Sequence, residues 1–377
     1  MKIGIMTFWW SEDNYGQQLQ CYALQKYLRE AGHDAYLIRY DPRSDFIKNP
    51  FFVKVLKAFN PVKLIKFLFS RFQLFVKAVS RKKEHSQNPR FFESFRKKHI
   101  KQSNKIWYSY AELKKNPPEA DVYIVGSDQV WNFGKISLKH IKNVVHAYFL
   151  DFGSSNIKRF SYAASWGKKQ ISDSLKVEVS PLLNNFDWIS VREKSGINIC
   201  SSCDVENSLW VHDPTLFLPA EKYRMLYRNE KIRKPTEKYI FLYYLNNGSK
   251  FPINNIYKWA KNKGLNVIYV SGNNQFDKYK KTYATIPEWL YLLDHAEYVF
   301  TNSFHCCVFS IIFKKLFAVI PLIGINSEMN ERIISLFDLC NIKSRFLKKE
   351  DFSVISVPYK AKLSKNELFL NILNKLI

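Results

Sequence analysis

The sequence predicts an α/β protein with a parallel sheet in each half of the chain, the two halves facing each other across a cleft. Three observations carry that reading. Short apolar runs of strand character alternate with segments of helical period, each strand opens into a polar loop, and the alternation pauses near residue 215 before restarting at about Lys238. A chain of 377 residues suits two domains at ~150 residues each. Its 46% hydrophobic and 16% aromatic content supplies the apolar surface that offsets chain entropy.

The elements follow in order. "KIGIMTF" reads as a strand, "YGQQLQCYALQKYLREAGH" as a helix ending at Gly32, and "DAYLIRY" as the next strand. This strand, helix, strand order implies parallel pairing with a right-handed crossover. The Asn14–Gly16 turn then falls at the carboxyl end of the first strand, where ligands bind in open α/β sheets. "DVYIVGSDQVWN", "RFSYAASWG" and "WISVREKSG" repeat the arrangement, and "SLWVHDPTLFL" leads out of the first half. The second half reads as strand "YIFLYYL", helix "FPINNIYKWAKNKG", strand "LNVIYVSG", helix "IPEWLYLLDHA", strand "EYVFTNS", helix "HCCVFSIIFKKL" and strand "FAVIPLI". The expected domains are 1–215, with a basic amphipathic insertion near 43–106, and 238–355. A helix within 356–377 is expected to pack back on the first domain.

Charge narrows the partners without choosing one. With 58 basic and 33 acidic residues, net +25, the chain attracts polyanions. Much of the excess lies in residues 46–85, where Lys and Arg recur among Phe, Leu and Val; that suits either a helix on anionic lipid or a solvated lysine-rich helix. No nucleic-acid motif accompanies it, so nucleic acid is not an expected partner. The opening residues lack a signal-peptide pattern and no apolar run approaches the ~20 residues of a membrane span, so a cytoplasmic, at most peripheral, location is expected. Six scattered cysteines give neither a disulfide framework nor a zinc site, and no GxGxxG or Walker loop occurs.

Several loops carry candidate chemistry, each with a plainer alternative. In "TNSFHCCVFS", Asn302, Ser303 and the free N–H groups of a helix start form an anion site within reach of His305, whose ordinary pKa suits proton transfer. The alternative is an N-cap beside a packed histidine. In "VGSDQVWN", Asp128 reads as a base or as a group orienting sugar hydroxyls, and Gln129, Trp131 and Asn132 as an acceptor wall; capping of the next turn competes. Arg192 offers a fork of donors to a carboxylate or phosphate, or pairs with Glu193 or another acid.

The segments "NYGQQLQCYALQKYL", "VGSDQVWN", "YFLDFG", "RFSYAASWG", "ISVRE", "DPTLFL" and "YVFTNSFHCCVFSIIFKKLF", in this order, resemble the polysaccharide pyruvyl transferase family over most of residues 1–345. The resemblance implies two Rossmann-like domains similar to B-type glycosyltransferases, phosphoenolpyruvate as donor, and a sugar diol, lipid-linked or oligosaccharide, as acceptor. The implied product is a pyruvyl ketal in a bacterial surface polysaccharide precursor. It makes His305 the acid/base on the donor and Arg192 its anion ligand; beside them, Asp128 is the candidate base or acceptor-orienting group, and Asn14, Tyr15 and Gly16 are expected to line the opposite wall. No metal or cofactor is required on this scheme. A nucleotide-sugar glycosyltransferase is the alternative on the same scaffold. One departure stands out: the family pattern has an arginine where this chain has Ser303, leaving Ser303, the helix start and Lys250 or Arg332 to compensate, or this branch to use another donor.

Overall fold

The computed structural model describes residues 1–42, 45, 79, 83–84, 86–134, 136–245, 251–272, 277, 279–348, 351–363 and 367–375. The basic stretch 46–85 lies almost wholly outside the described residues, as does Lys250.

The first half runs β1 (Lys2–Met6), α1 (Tyr15–Glu30), β2 (Asp34–Tyr40), α2 (Phe92–His99), β3 (Gln102–Trp107), α3 (Tyr110–Lys115), β4 (Val122–Gly126), α4 (Lys142–Tyr148), β5 (Lys158–Ala164), α5 (Asp173–Leu183), β6 (Trp188–Val191), α6 (Lys194–Ser202) and β7 (Leu209–Trp210). The strands form one sheet in the order β3-β2-β1-β4-β5-β6-β7, and every pair is parallel. The second half runs α7 (Ala220–Arg228), β8 (Tyr239–Tyr243), α8 (Ile253–Asn262), β9 (Asn266–Tyr269), α9 (Ile286–Asp294), β10 (Tyr298–Thr301), α10 (Phe304–Ile312), β11 (Leu316–Val319), α11 (Glu331–Leu339) and α12 (Glu367–Lys375). Its sheet has the order β11-β10-β8-β9, again parallel throughout. The fold is thus two Rossmann-like α/β lobes of the B-type glycosyltransferase kind.

Local chemistry sets the element boundaries. Asn14 caps α1 by accepting from Gln17 N–H, and the chain leaves the helix through Gly32 at φ 91°, a left-handed conformation that glycine adopts without strain. Thr285 and Glu288 close α9 with a reciprocal capping box. The stretch expected as an insertion near 43–106 ends in ordinary sheet structure, because α2 and β3 belong to the first lobe and β3 is its edge strand.

Apolar packing ties the lobes together. One face of the first sheet is covered by α1 and by α12, whose Phe369 and Leu373 are fully buried with Ile3, Ile5 and Leu24. A further cluster crosses from α1 and α2 to Phe241, Trp289 and Phe309 of the second lobe. Within it the Tyr15 ring stacks on Trp289 at 5.3 Å and 15°.

Two parallel sheets also create two topological switch points. In the first sheet β1 is flanked by β2 and β4; in the second, β8 is flanked by β9 and β10. Crossovers leave such strands in opposite directions, opening a crevice at their carboxyl ends. Those ends carry the loops that hold Ser127 and Asp128 after β4 and Asn302 to His305 after β10.

Candidate active site

Arg192 follows β6 directly and is 1% exposed, a costly place for a guanidinium unless it is paired. Its Nη1 donates to Asp213 Oδ2 at 2.9 Å and to Ser127 Oγ at 3.3 Å, and its Cζ lies 4.3 Å over the Phe304 ring. Its Nε and Nη2 have no hydrogen-bond partner. Asp128 Oδ1 stands 3.9 Å from Nη2, beyond hydrogen-bond reach. Two of the three nitrogens of this buried fork are therefore unsatisfied.

Asp213 is the hub. Its Oδ1 accepts from the Thr215 backbone N–H at 3.0 Å and hydroxyl at 2.6 Å, while Oδ2 accepts from Ser127 Oγ at 2.5 Å as well as from Arg192. Burial alone would raise its pKa. His305, Arg192 and Ser127 more than reverse that and hold the carboxyl far below the usual range.

His305 approaches the same carboxylate from the other lobe. It is the second residue of α10, 7% exposed, and its Nε2 lies 3.5 Å from Asp213 Oδ2 without a hydrogen bond. The ring is held edge-on to Phe304 at 5.2 Å and 89°. On its other side sits the start of α1, where a Cβ on Gly16 would stand 2.2 Å from Nδ1. Glycine is required there because only a bare Cα lets the two lobes meet across the imidazole.

A second buried guanidinium belongs to the same neighbourhood. α11 is anchored to the β6–α6 turn by the Lys194 N–H donating to Ser335 Oγ at 3.1 Å, one helical turn beyond Arg332. Arg332 is 7% exposed; burial first, then the nearby Arg192 cation, draws its pKa down to about 10. Glu193 lies between these charges, fully buried, accepting at Oε1 from Ser165 Oγ at 3.0 Å and Gly167 N–H at 2.7 Å. Burial raises its pKa despite both arginines. A cation with two unfilled nitrogens, a second buried cation whose Nε donates to Met329 O at 3.3 Å, an imidazole and a helix start describe a site for a small anion.

The structure brings His305, Arg192, Asp128 and Gly16 together and disperses the rest. Asn14 is the cap of α1. Tyr15 is 0% exposed and its hydroxyl donates to Ala284 O at 2.7 Å, so it is a plug between lobes rather than an acceptor wall. Trp131 is likewise core: 1% exposed and stacked on Phe149 at 5.0 Å and 12°, it has no open face for a sugar. Asn302 is engaged on the backbone of Leu245, accepting from N–H and donating to C=O at 2.7 Å each, and Ser303 caps α10 through Cys306 N–H. Gln129 and Asn132 remain partly exposed and bond each other at 2.8 Å. Asp128 has φ 68°, a left-handed strand end that asparagine and aspartate tolerate better than other side chains.

Sequence reasoning missed Asp213 as a site residue. Its signal was an acid after a polar residue in "HDPTLF", in a run otherwise apolar enough to be buried. Among the described residues no group of three or more His, Cys, Asp or Glu side chains is arranged to hold a metal.

Two parallel α/β lobes with a buried Arg–Asp–His constellation between their carboxyl edges define a two-lobed α/β class of protein with a charged site in the cleft. The sequence model of the polysaccharide pyruvyl transferase family matches residues 14–322, and the chain belongs to that family. It is therefore an enzyme of polysaccharide pyruvylation by family. A search of curated proteins finds no match. Among solved structures, UDP-GlcNAc 2-epimerase of Methanocaldococcus jannaschii, in complex with UDP-GlcNAc and UDP, is similar at 12% identity and TM-score 0.49, with 100% of both chains covered. The Neisseria meningitidis UDP-GlcNAc 2-epimerase gives 10% identity and TM-score 0.43, covering 99% of this chain and 92% of that one. Arabidopsis thaliana UGT89C1, complexed with quercetin, gives 10% and 0.38, with 94% and 87% covered.

Proposed function

We propose that the enzyme transfers the enolpyruvyl group of phosphoenolpyruvate to two hydroxyls of a sugar, forming a pyruvyl ketal and releasing phosphate. The observation that carries this reading is the approach of His305 and Arg192, from different lobes, to one carboxylate while both keep unfilled N–H or lone-pair capacity.

The chemistry distributes over these residues as follows. His305, standing beside Asp213, gives a proton to the methylene carbon of the donor, and positive charge grows at the adjacent carbon. A sugar hydroxyl adds to that carbon while Asp128 takes its proton. The second hydroxyl then displaces phosphate at the same carbon while the now neutral His305 takes its proton, closing the ketal and restoring the acid. Arg192 and Arg332 hold the donor's carboxylate and phosphate, so that Arg332 supplies the cation missing at Ser303. A positioned acid of this kind contributes ~10²–10⁴-fold, and preorganised cations facing the developing charge add to it.

Among the described residues no helix is long and apolar enough to cross a membrane. The basic, apolar pattern of residues 46–85 supports a peripheral seat on the anionic inner face of the cytoplasmic membrane, where a lipid-linked acceptor would be presented. Flotation with vesicles containing phosphatidylglycerol checks this: co-flotation at low salt is expected, and loss of the protein to the bottom fraction removes the claim.

The reaction itself is tested by incubation with phosphoenolpyruvate and candidate acceptors, following phosphate release and product mass. Phosphate in step with a pyruvylated sugar is expected. Release of a nucleoside diphosphate from a nucleotide sugar, with phosphoenolpyruvate untouched, would replace this reading by glycosyl transfer.

A further inference from the structure

A pocket of 310 Å³ opens at the carboxyl edge of the first sheet, beside the loop that carries Asp128. Phe8 and Trp10, just after β1, form one side, and Val130, Phe133 and Ile136, beyond β4, form another; Tyr148 of α4 closes the base. These two strands flank the switch point of the sheet, so the pocket occupies the place where an open α/β sheet receives a ligand.

Its lining chooses the kind of ligand. Phe8 packs on Trp10 at 5.3 Å and edge-on to Tyr148 at 5.2 Å and 89°. Trp10 and Ile136 are 37% and 51% exposed, an apolar rim facing water. Of the polar groups, the Asn132 amide is already bonded to Gln129. The Tyr148 hydroxyl, on a residue 1% exposed, has no partner. Burial, with Asp41 and Asp128 near it, keeps this phenol neutral. A sugar ring seated here would strand several hydroxyls against apolar walls, at ~1–3 kcal/mol each. An alkyl or aryl group gains ~25 cal/mol per Å² buried and needs no polar partner.

We propose that this pocket binds an apolar substituent carried by the acceptor, attached next to the sugar that receives the pyruvyl group. The inference rests on the acceptor being held at Asp128, as proposed above. The volume lies at the low end for ligand pockets, ~300–1,000 Å³, and fits the first segment of such a substituent rather than a whole lipid chain.

Calorimetric titration with octyl β-galactoside and methyl β-galactoside, both below the micelle concentration of the octyl compound, separates the possibilities. The octyl glycoside is expected to bind at least about tenfold more tightly, from hydrocarbon burial. The rim variant Ile136→Asp, with its melting temperature checked, is expected to abolish that preference. Equal affinities in the wild type overturn the proposal. So does an octyl preference that survives Ile136→Asp, because the hydrocarbon then sits elsewhere. A preference abolished by Ile136→Asp, found without phosphate release from phosphoenolpyruvate, would sink the donor assignment while upholding the pocket.

Discussion

His146 and His305 both face carboxylates, yet their surroundings differ in kind. His146 has Nδ1 at 2.7 Å from Asp151 and Nε2 at 2.6 Å from Glu178, and those acids are further met by Tyr110, Lys142 and Lys114. Both ring nitrogens are filled, and the cluster binds α4 to α5 and to the loop before β5. His305 stands 3.5 Å from its carboxylate with Nε2 unfilled, between two lobes and beside an arginine with two unfilled nitrogens. A saturated imidazole stabilises a fold. One kept short of a partner in a buried polar site is held ready for something that arrives, because leaving it unfilled costs about 1–3 kcal/mol.

The contrast breaks most readily on paired substitutions. His305→Ala is expected to lower turnover per folded molecule by ~10²–10⁴-fold. His146→Ala should leave activity per folded molecule intact and lose about 2 kcal/mol in urea denaturation, as charge-assisted hydrogen bonds disappear. The reverse pattern in the two assays would exchange the roles given to these residues.

Gly16→Ala sharpens the same point from the opposite lobe. The added methyl would lie 2.2 Å from His305 Nδ1, so the ring must shift. A displacement of that order is expected to cost ~10²-fold in kcat, and overpacking about 1–3 kcal/mol of stability. Wild-type kcat in this variant would mean that the contact has no bearing on the chemistry.

Arg332 offers a smaller effect of unusual sign. Removing it as Arg332→Met relieves its repulsion with Arg192, so the protein without donor is expected to be at least as stable as the wild type. The KM for phosphoenolpyruvate should nevertheless rise about tenfold, the value of one charge-assisted hydrogen bond. Thermal melts and steady-state kinetics check the two halves separately.

The smallest effect concerns pH. Asp213 is held below its ordinary pKa, so its contribution to stability is complete above the unfolded value of ~3.9 and is lost as pH falls below it. Urea midpoints between pH 6 and pH 3 should therefore fall more steeply in the wild type than in Asp213→Asn.

The alternation of strands and helices was legible in the sequence because most strands read as buried apolar runs and the loops carry their own stop signals. His305, Arg192 and Asp128 were legible for a related reason: polar residues immediately after buried strands must fall on the carboxyl edge. Trp131 and Tyr15 were misplaced because a large ring in a polar loop looks the same whether it covers a ligand or plugs an interface. Only the packing of Phe149 and Trp289 against them decides. Asp213 was hidden by distance along the chain, since nothing in "HDPTLF" announces that Arg192 and His305 converge on it. Edge strand β3 was obscured by its mixed "QSNKIW" pattern, which lacks a continuous apolar run.

The central claim, that His305 and Arg192 act from two lobes on one anionic donor, is tested most directly by running the reaction with phosphoenolpyruvate in D₂O. The wild type is predicted to give a ketal whose methyl carries one deuterium, with one phosphate released per product, and His305→Gln to give neither. A labelled ketal formed at an undiminished rate by His305→Gln would contradict it.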